Sequence, residues 1–276
     1  MNINIKGQIF PIDRPLVMGI INLTNDSFYS GSRVNNLKSA EERIERMFEE
    51  GADIIDIGAM SSRSGSNLIN HKEEWQRLIS VLELINKKYS DKIFSLDTVN
   101  SVTAKKAVKD FGIDIINDIS SGNIDKNMFD TIAELHVPYI IMHMRGTPEN
   151  MQSLTEYTSL INDILLFFSE KVNKLNSLGV NDIILDPGFG FSKTIEQNYQ
   201  LLNDLEKFSI FGLPVIVGLS RKSMIWKTLN ITPEQSLNGT SALNIIALNK
   251  GANVLRVHDI KEAKEVITLH NSLLKN

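Results

Sequence analysis

The sequence predicts an α/β fold: one (β/α)8 TIM barrel preceded by a short β extension. Two observations carry that expectation. Eight short apolar runs follow one another along the chain, each separated from the next by a segment with helical periodicity. The 276 residues also come close to the roughly 250 that such a barrel takes. The runs are Leu16–Ile21, Ile54–Ile57, Ile93–Leu96, Ile113–Ile116, Tyr139–Met142, Ile183–Leu185, Pro214–Leu219 and Val254–Val257. They are nearly continuous in Ile, Val and Leu, which suits parallel strands covered on both faces. An open doubly wound sheet is the competing arrangement, and the regularity of the repeat favours closure.

The helices between the runs follow from local signals. Ser39 and Glu42 read as a capping box ahead of Ile44, Met47 and Phe48, with Gly51 closing the helix in a left-handed cap. Leu160 to Leu178 carries apolar residues at helical spacing and stops at Gly179. Tyr199, Leu202 and Leu205 mark a helix before the seventh run, and Ala242, Ile245, Ile246 and Leu248 one before the eighth. Lys261 to Leu274 forms the last. The first ten residues read as a hairpin beneath the barrel. No linker or composition shift divides the chain, so residues 1–276 are expected to form a single domain.

Composition narrows the class. A net charge of -4 argues against a general nucleic-acid surface. The absence of cysteine excludes disulfides and thiolate metal sites. The opening MNINIKGQIF is too short and polar for a signal peptide, and no apolar run approaches the roughly 18 residues of a membrane span. These features lead us to expect a soluble, cytoplasmic protein with no membrane partner.

In such a barrel the reactive groups stand at the carboxyl ends of the strands. Every run here ends in polar or charged residues: Asn22 before the loop TNDSFYSGSR; Asp56 before Ser61, Ser62 and Arg63; Asp97; Asn117 and Asp118; Met142, His143 and Arg145; Asp186 before PGFGFSK; Ser220, Arg221 and Lys222; Arg256, His258 and Asp259. A ring of facing Asp, Asn, Lys and Arg must satisfy itself or a ligand. Asp97, Asn117 and Asp186 suit a planar heterocycle with an amidine-like edge and a lactam, since a carboxylate accepts from ring N–H and amino groups while a carboxamide donates and accepts. Lys222, Arg256, His258 and Arg63, with Asn22, form a seat for a phosphate or carboxylate. His71, His136, Trp75 and Trp226 read as surface or packing residues, and His143 as a support of the rim.

The stretches MGIINLTNDSF, GADIIDIGAMSSRSG, SLDT, IINDIS, MHMRGTPENM, ILDPGFGFSKT, SRKS and RVHD resemble, in order and across almost the whole chain, the dihydropteroate synthase family. The resemblance implies condensation of 6-hydroxymethyl-7,8-dihydropterin pyrophosphate with 4-aminobenzoate, giving 7,8-dihydropteroate and pyrophosphate by a dissociative substitution. It implies a pterin site of Asp97, Asn117, Met142, Asp186, Phe191 and Lys222. A pyrophosphate site would comprise Asn22, Arg63, Arg256 and His258, with Asn22 also on a Mg2+ ion. Phe28, Ser62, Ser64, Ser220 and Arg221 would border the aminobenzoate. Asp26, Lys222, Arg256 and His258 would be catalytic, with the loop from Thr24 to Arg33 acting as a lid that excludes water. Sulfonamide inhibitors and a homodimer are implied in the same way.

The chain departs from the family pattern in both mobile loops. Asn25 stands where a proline is expected, Met60 where a Glu is, Ser62 where a Thr is, and Ser64 where a second proline is. Losing each proline makes loop closure cost about 0.4–1 kcal/mol more entropy, and altered sulfonamide sensitivity is the expected consequence. Two other readings fit the residues: a methyltransferase that binds methyltetrahydrofolate in a similar pterin barrel, and an inactive pterin-binding paralogue. NDSF, SRKS and RVHD argue against the methyltransferase; the loop substitutions keep the paralogue open, and the intact Lys222, Arg256 and His258 argue against it.

Overall fold

The computed structural model describes residues 1–23, 33–60 and 65–274. The expectations for Asn25, Asp26, Phe28, Ser61, Ser62, Arg63 and Ser64 fall outside these residues. A hairpin of β1 (Asn2–Ile5) and β2 (Gln8–Pro11) opens the chain. Eight parallel strands follow: β3 (Leu16–Asn22), β4 (Ile54–Gly58), β5 (Phe94–Asp97), β6 (Ile115–Asp118), β7 (Tyr139–Met142), β8 (Ile183–Asp186), β9 (Ile216–Val217) and β10 (Val254–Val257). The ladder runs β8-β7-β6-β5-β4-β3-β10-β9. A parallel bridge between Leu185 and Val215 joins its two ends and closes the barrel.

Around it stand α1 (Arg33–Glu49), α2 (His71–Lys88), α3 (Ser101–Phe111), α4 (Met128–Leu135), α5 (Leu160–Ser177), α6 (Ile195–Asn203), α7 (Ser223–Leu229), α8 (Leu237–Asn249) and α9 (Ile260–Leu274). Local chemistry sets several starts. The Asn70 side chain accepts from the backbone N–H groups of Lys72 and Glu73 at the head of α2, and Thr194 with Gln197 forms a complete capping box on α6. No described helix is long and apolar enough to cross a membrane.

Strand parity divides the core in two, because successive side chains point to opposite faces. Val17, Ile21, Ile55, Ile57, Leu96, Ile116, Ile141 and Leu255 face outward and pack with Ile44, Leu82, Phe168 and Ile267 of the helices. Leu16, Met18, Ile54, Ile115, Ile140, Ile184, Ile216 and Val254 face inward and form an apolar floor, with Ile3, Ile5 and Ile12 of the N-terminal segment packed against it. The hairpin therefore plugs the amino-terminal end of the barrel, as expected from the sequence.

Three local expectations are corrected. Ser39 does not cap α1, which starts at Arg33; Leu37, Ala40, Ile44 and Met47 make one continuous apolar stripe, so the capping pattern falls mid-helix. The fourth run becomes a strand two residues later than read, at Ile115–Asp118, which brings Asn117 and Asp118 into the strand itself. The seventh shrinks to Ile216–Val217, because Pro214 lacks the N–H that a ladder needs.

Candidate active site

The site stands one layer above the floor. Four polar residues follow a floor residue by two positions, on the same face of their strands: Asp56 after Ile54, Asn117 after Ile115, Asp186 after Ile184 and Arg256 after Val254; Met142 follows Ile140 in the same way, and Asp97 follows the buried Ser95. Register sets Asn22 beside Gly58, Gly58 beside Asp97, and Asp97 beside Asn117. Polar groups on an apolar floor sit in a low dielectric, where their charges interact strongly.

Asp56 is the hub. Its Oδ2 accepts from Arg256 Nε at 2.8 Å and from Asn117 Nδ2 at 3.0 Å, while its buried Oδ1 has no partner among the described residues. Arg256 Nη2 reaches on to Asp97 Oδ2 at 3.0 Å. Burial pushes the Asp97 carboxyl up to about 7, against the opposing pull of Arg256. Burial also works against the Arg256 charge, yet Asp56 and Asp97 outweigh it and its pKa is raised. Orphaned acceptors beside a cation that two carboxylates share can receive N–H donors from a flat ligand.

A second group faces them. Asp186 accepts from the Gly188 N–H at 2.8 Å, and burial raises its pKa against that bond and the nearby Lys222. Lys222 Nζ lies 4.4 Å from the centre of the Phe191 ring, a cation–π distance, and burial lowers its pKa to about 8. Phe191 and Met142 are themselves buried in a rim cluster with Met60, Val99, Ile119, Met144 and Met151. Gly190 lets this turn close: at φ 82° a Cβ there would stand 3.2 Å from the Lys222 stem.

At the mouth, Ser220 Oγ lies 3.0 Å from His258 Nδ1 and accepts from the His258 backbone N–H. The crowded mouth desolvates the imidazole and, with Arg256 beside it, lowers its pKa; the ring's contact with water moderates that shift without reversing it. A neutral ring that takes the Ser220 hydroxyl proton on Nδ1 keeps its own proton on Nε2. Arg221, expected from the resemblance to border the aminobenzoate, pairs with a neighbouring carboxylate. In a left-handed turn at φ 56°, it donates Nε and Nη2 to the two oxygens of Asp259 at 3.0 and 2.7 Å and Nη1 to the carbonyl of Glu234. Its guanidinium is committed within the protein.

Similarity to known proteins agrees with this geometry. A family model described as pterin-binding enzyme matches residues 18–258. The dihydropteroate synthase of Haemophilus influenzae is 37% identical over 269 residues, covering 97% of each chain. The chain belongs to the dihydropteroate synthase family. Its members are enzymes, transferases by reaction. A crystal structure of the Yersinia pestis synthase with a sulfonamide drug complex superposes with a TM-score of 0.92 at 37% identity, covering 100% of both chains. The Xanthomonas albilineans synthase with 4-aminobenzoic acid gives 0.91 at 32% identity, covering 100% of this chain and 98% of that one.

Within this synthase fold, Asp97, Asn117, Met142, Asp186, Phe191, Lys222, Arg256, His258 and Ser220 gather at one end of the barrel, and Asn22 closes β3 at the same level. Sequence reasoning gave Asp56 no role. Its signal was a charge inside the otherwise apolar IIDIG strand, a position that demands a partner. Lys193 was also missed, because a lysine after a glycine-rich turn reads as exposed when it is in fact buried.

Proposed function

We propose that this chain condenses 6-hydroxymethyl-7,8-dihydropterin pyrophosphate with 4-aminobenzoate. The observation that carries the reading is the buried Asp97, Asn117 and Asp186 facing one mouth with Lys222, Arg256 and His258. The carboxylates accept from the amino and N–H groups of the pterin, Asn117 meets its lactam, and Met142 and Phe191 cover its faces. Arg256 and the Nε2 proton of His258 meet the pyrophosphate. The C–O bond breaks with its electron pair leaving on pyrophosphate, and the carboxylates stabilise the cationic methylene left on the ring. The amine lone pair then forms the C–N bond, and the nitrogen releases a proton. Ser220 stands where the aminobenzoate enters.

Asn22 fits a Mg2+ ion held mostly by the substrate's phosphates: its carboxamide oxygen is a hard donor at the half-buried end of β3, and the described residues contain no all-protein cage of His, Cys, Asp or Glu. The ion would neutralise charge on the leaving pyrophosphate. Sulfonamides occupy the aminobenzoate side, a reading supported by the drug complex of the Yersinia pestis relative. Two copies associate through the outer helices, supported by the exposed Ile246 on α8 and Leu269 and Leu273 on α9; light scattering at micromolar concentration tests this.

The deciding experiment measures pyrophosphate release with the pterin pyrophosphate and Mg2+, with and without 4-aminobenzoate. Release that depends on aminobenzoate and yields dihydropteroate is expected. Pterin binding without release would leave a binding paralogue.

A further inference from the structure

Behind the rim lies a buried cation outside the mechanism above. Lys193, 3% exposed, has no carboxylate in contact among the described residues. Its Nζ meets the carbonyl of Gly188 at 2.9 Å, the carbonyl of Phe191 at 3.0 Å and Nδ1 of His143 at 3.1 Å. An ammonium has three N–H donors, and these three acceptors use them all. The imidazole must then be neutral with its proton on Nε2, consistent with burial lowering the His143 pKa to about 2. Two of these acceptors are backbone carbonyls of the turn that carries the site: the Gly188 N–H holds Asp186 Oδ1, and the Phe191 ring lies under Lys222. The turn has no slack on its far side, since a Cβ on Gly188 would stand 2.1 Å from the His143 carbonyl oxygen.

We propose that Lys193, seated on His143, is a positioning residue for the synthase reaction: it ties down the backbone of residues 188–191 from behind and so aims Asp186 and Phe191 at the pterin. Its charge also favours the ionised form of Asp186. The charged groups facing it are Asp186 from β8, His143 and Arg145 from the loop after β7, and Lys222 from the segment before α7. Burial brings the Lys193 pKa down to about 7, with Asp186 opposing, so the tie loosens as pH rises. The inference rests on the reading of Asp186 as a pterin ligand.

Lys193→Met, Lys193→Gln and Asp186→Asn test it, with circular dichroism for folding, calorimetry for dihydropterin pyrophosphate binding and steady-state kinetics for both substrates. Lys193→Met is expected to fold and to weaken pterin binding about tenfold or more, while the KM for aminobenzoate changes less than about threefold. Lys193→Gln keeps two donors and no charge; it should recover much of the affinity, with the acid limb of binding moved to higher pH because Asp186 loses a positive neighbour. Unchanged pterin affinity in folded Lys193→Met, beside a weakened Asp186→Asn, overturns the proposal. So does an equal rise in both KM values without rescue by Gln, or failure of both Lys193 variants to fold. Unchanged affinity in Asp186→Asn overturns the site reading itself, and this inference with it.

Discussion

Arg256 on β10 reaches across the barrel mouth to Asp56 on β4, its Nε 2.8 Å from the carboxylate oxygen that also accepts from Asn117. The pair joins two strands separated by β3 in the ladder and orients the carboxamide of Asn117. Asp56→Ala removes one of two partners from a half-buried guanidinium and should destabilise the fold by about 2–3 kcal/mol, somewhat less than the full loss of a buried pair because Asp97 remains. Urea denaturation measures this. A change within about 0.5 kcal/mol would show that Asp97 alone satisfies Arg256.

Asp97 gives the protein a pH dependence with a definite sign. Burial raises its folded pKa from 3.8 to about 7, so the folded state keeps a proton that the unfolded chain has already released. The stability this group contributes is therefore lost as pH rises between those values. Asp97→Asn should gain melting temperature relative to the parent at pH about 8 and not at pH about 4. Pterin affinity of the parent should instead climb through about pH 7, as the carboxylate that accepts the pterin N–H groups ionises. A melting-temperature difference independent of pH would contradict the assignment.

Phe191 supports the Lys222 ammonium from below at 4.4 Å. Phe191→Leu preserves apolar volume while removing the ring face. A partly desolvated cation–π contact is worth about 0.5–2 kcal/mol, so the KM for the pterin substrate should rise about 2- to 30-fold, with melting temperature nearly unchanged. Equal kinetic constants for variant and parent would show that the contact has no energetic weight.

Arg221 and Asp259 lock together the turns that carry Lys222 and His258. Each is adjacent in sequence to a site residue, so Arg221→Met should lower kcat about tenfold through misplacement of those neighbours. Asp259→Asn should cost less, and the double variant should cost less than the sum. A double-mutant cycle on kcat/KM is expected to give a coupling of about 0.5–1 kcal/mol. Additive losses would mean that the fork holds neither turn.

Much of this architecture is legible in the residues. The continuous apolar runs mark strands covered on both faces, and polar residues at their carboxyl ends mark the rim. Boundaries were less legible: Ser39 and Glu42 satisfy a capping pattern inside a helix, because the same residue types are tolerated mid-helix when an apolar stripe continues through them. Of the positions that depart from the family pattern, Met60 packs in the rim cluster, while Asn25, Ser62 and Ser64 lie outside the described residues, so the sequence alone speaks for those three.

By itself the sequence determined the barrel, the plug of the hairpin, the membership of the rim and the family. Periodicity and residue type act locally, and the floor-to-rim spacing of two residues is written into β4, β6, β8 and β10. Tertiary structure alone decided who pairs with whom. Asp56 and Arg256 lie far apart in the chain and meet because strand stagger sets them at neighbouring heights; Arg221 finds Asp259 across two different strand ends; Lys193 is buried because the turn before it folds back over its ammonium. Such pairings depend on closure and on the dielectric that closure creates, which no local pattern encodes.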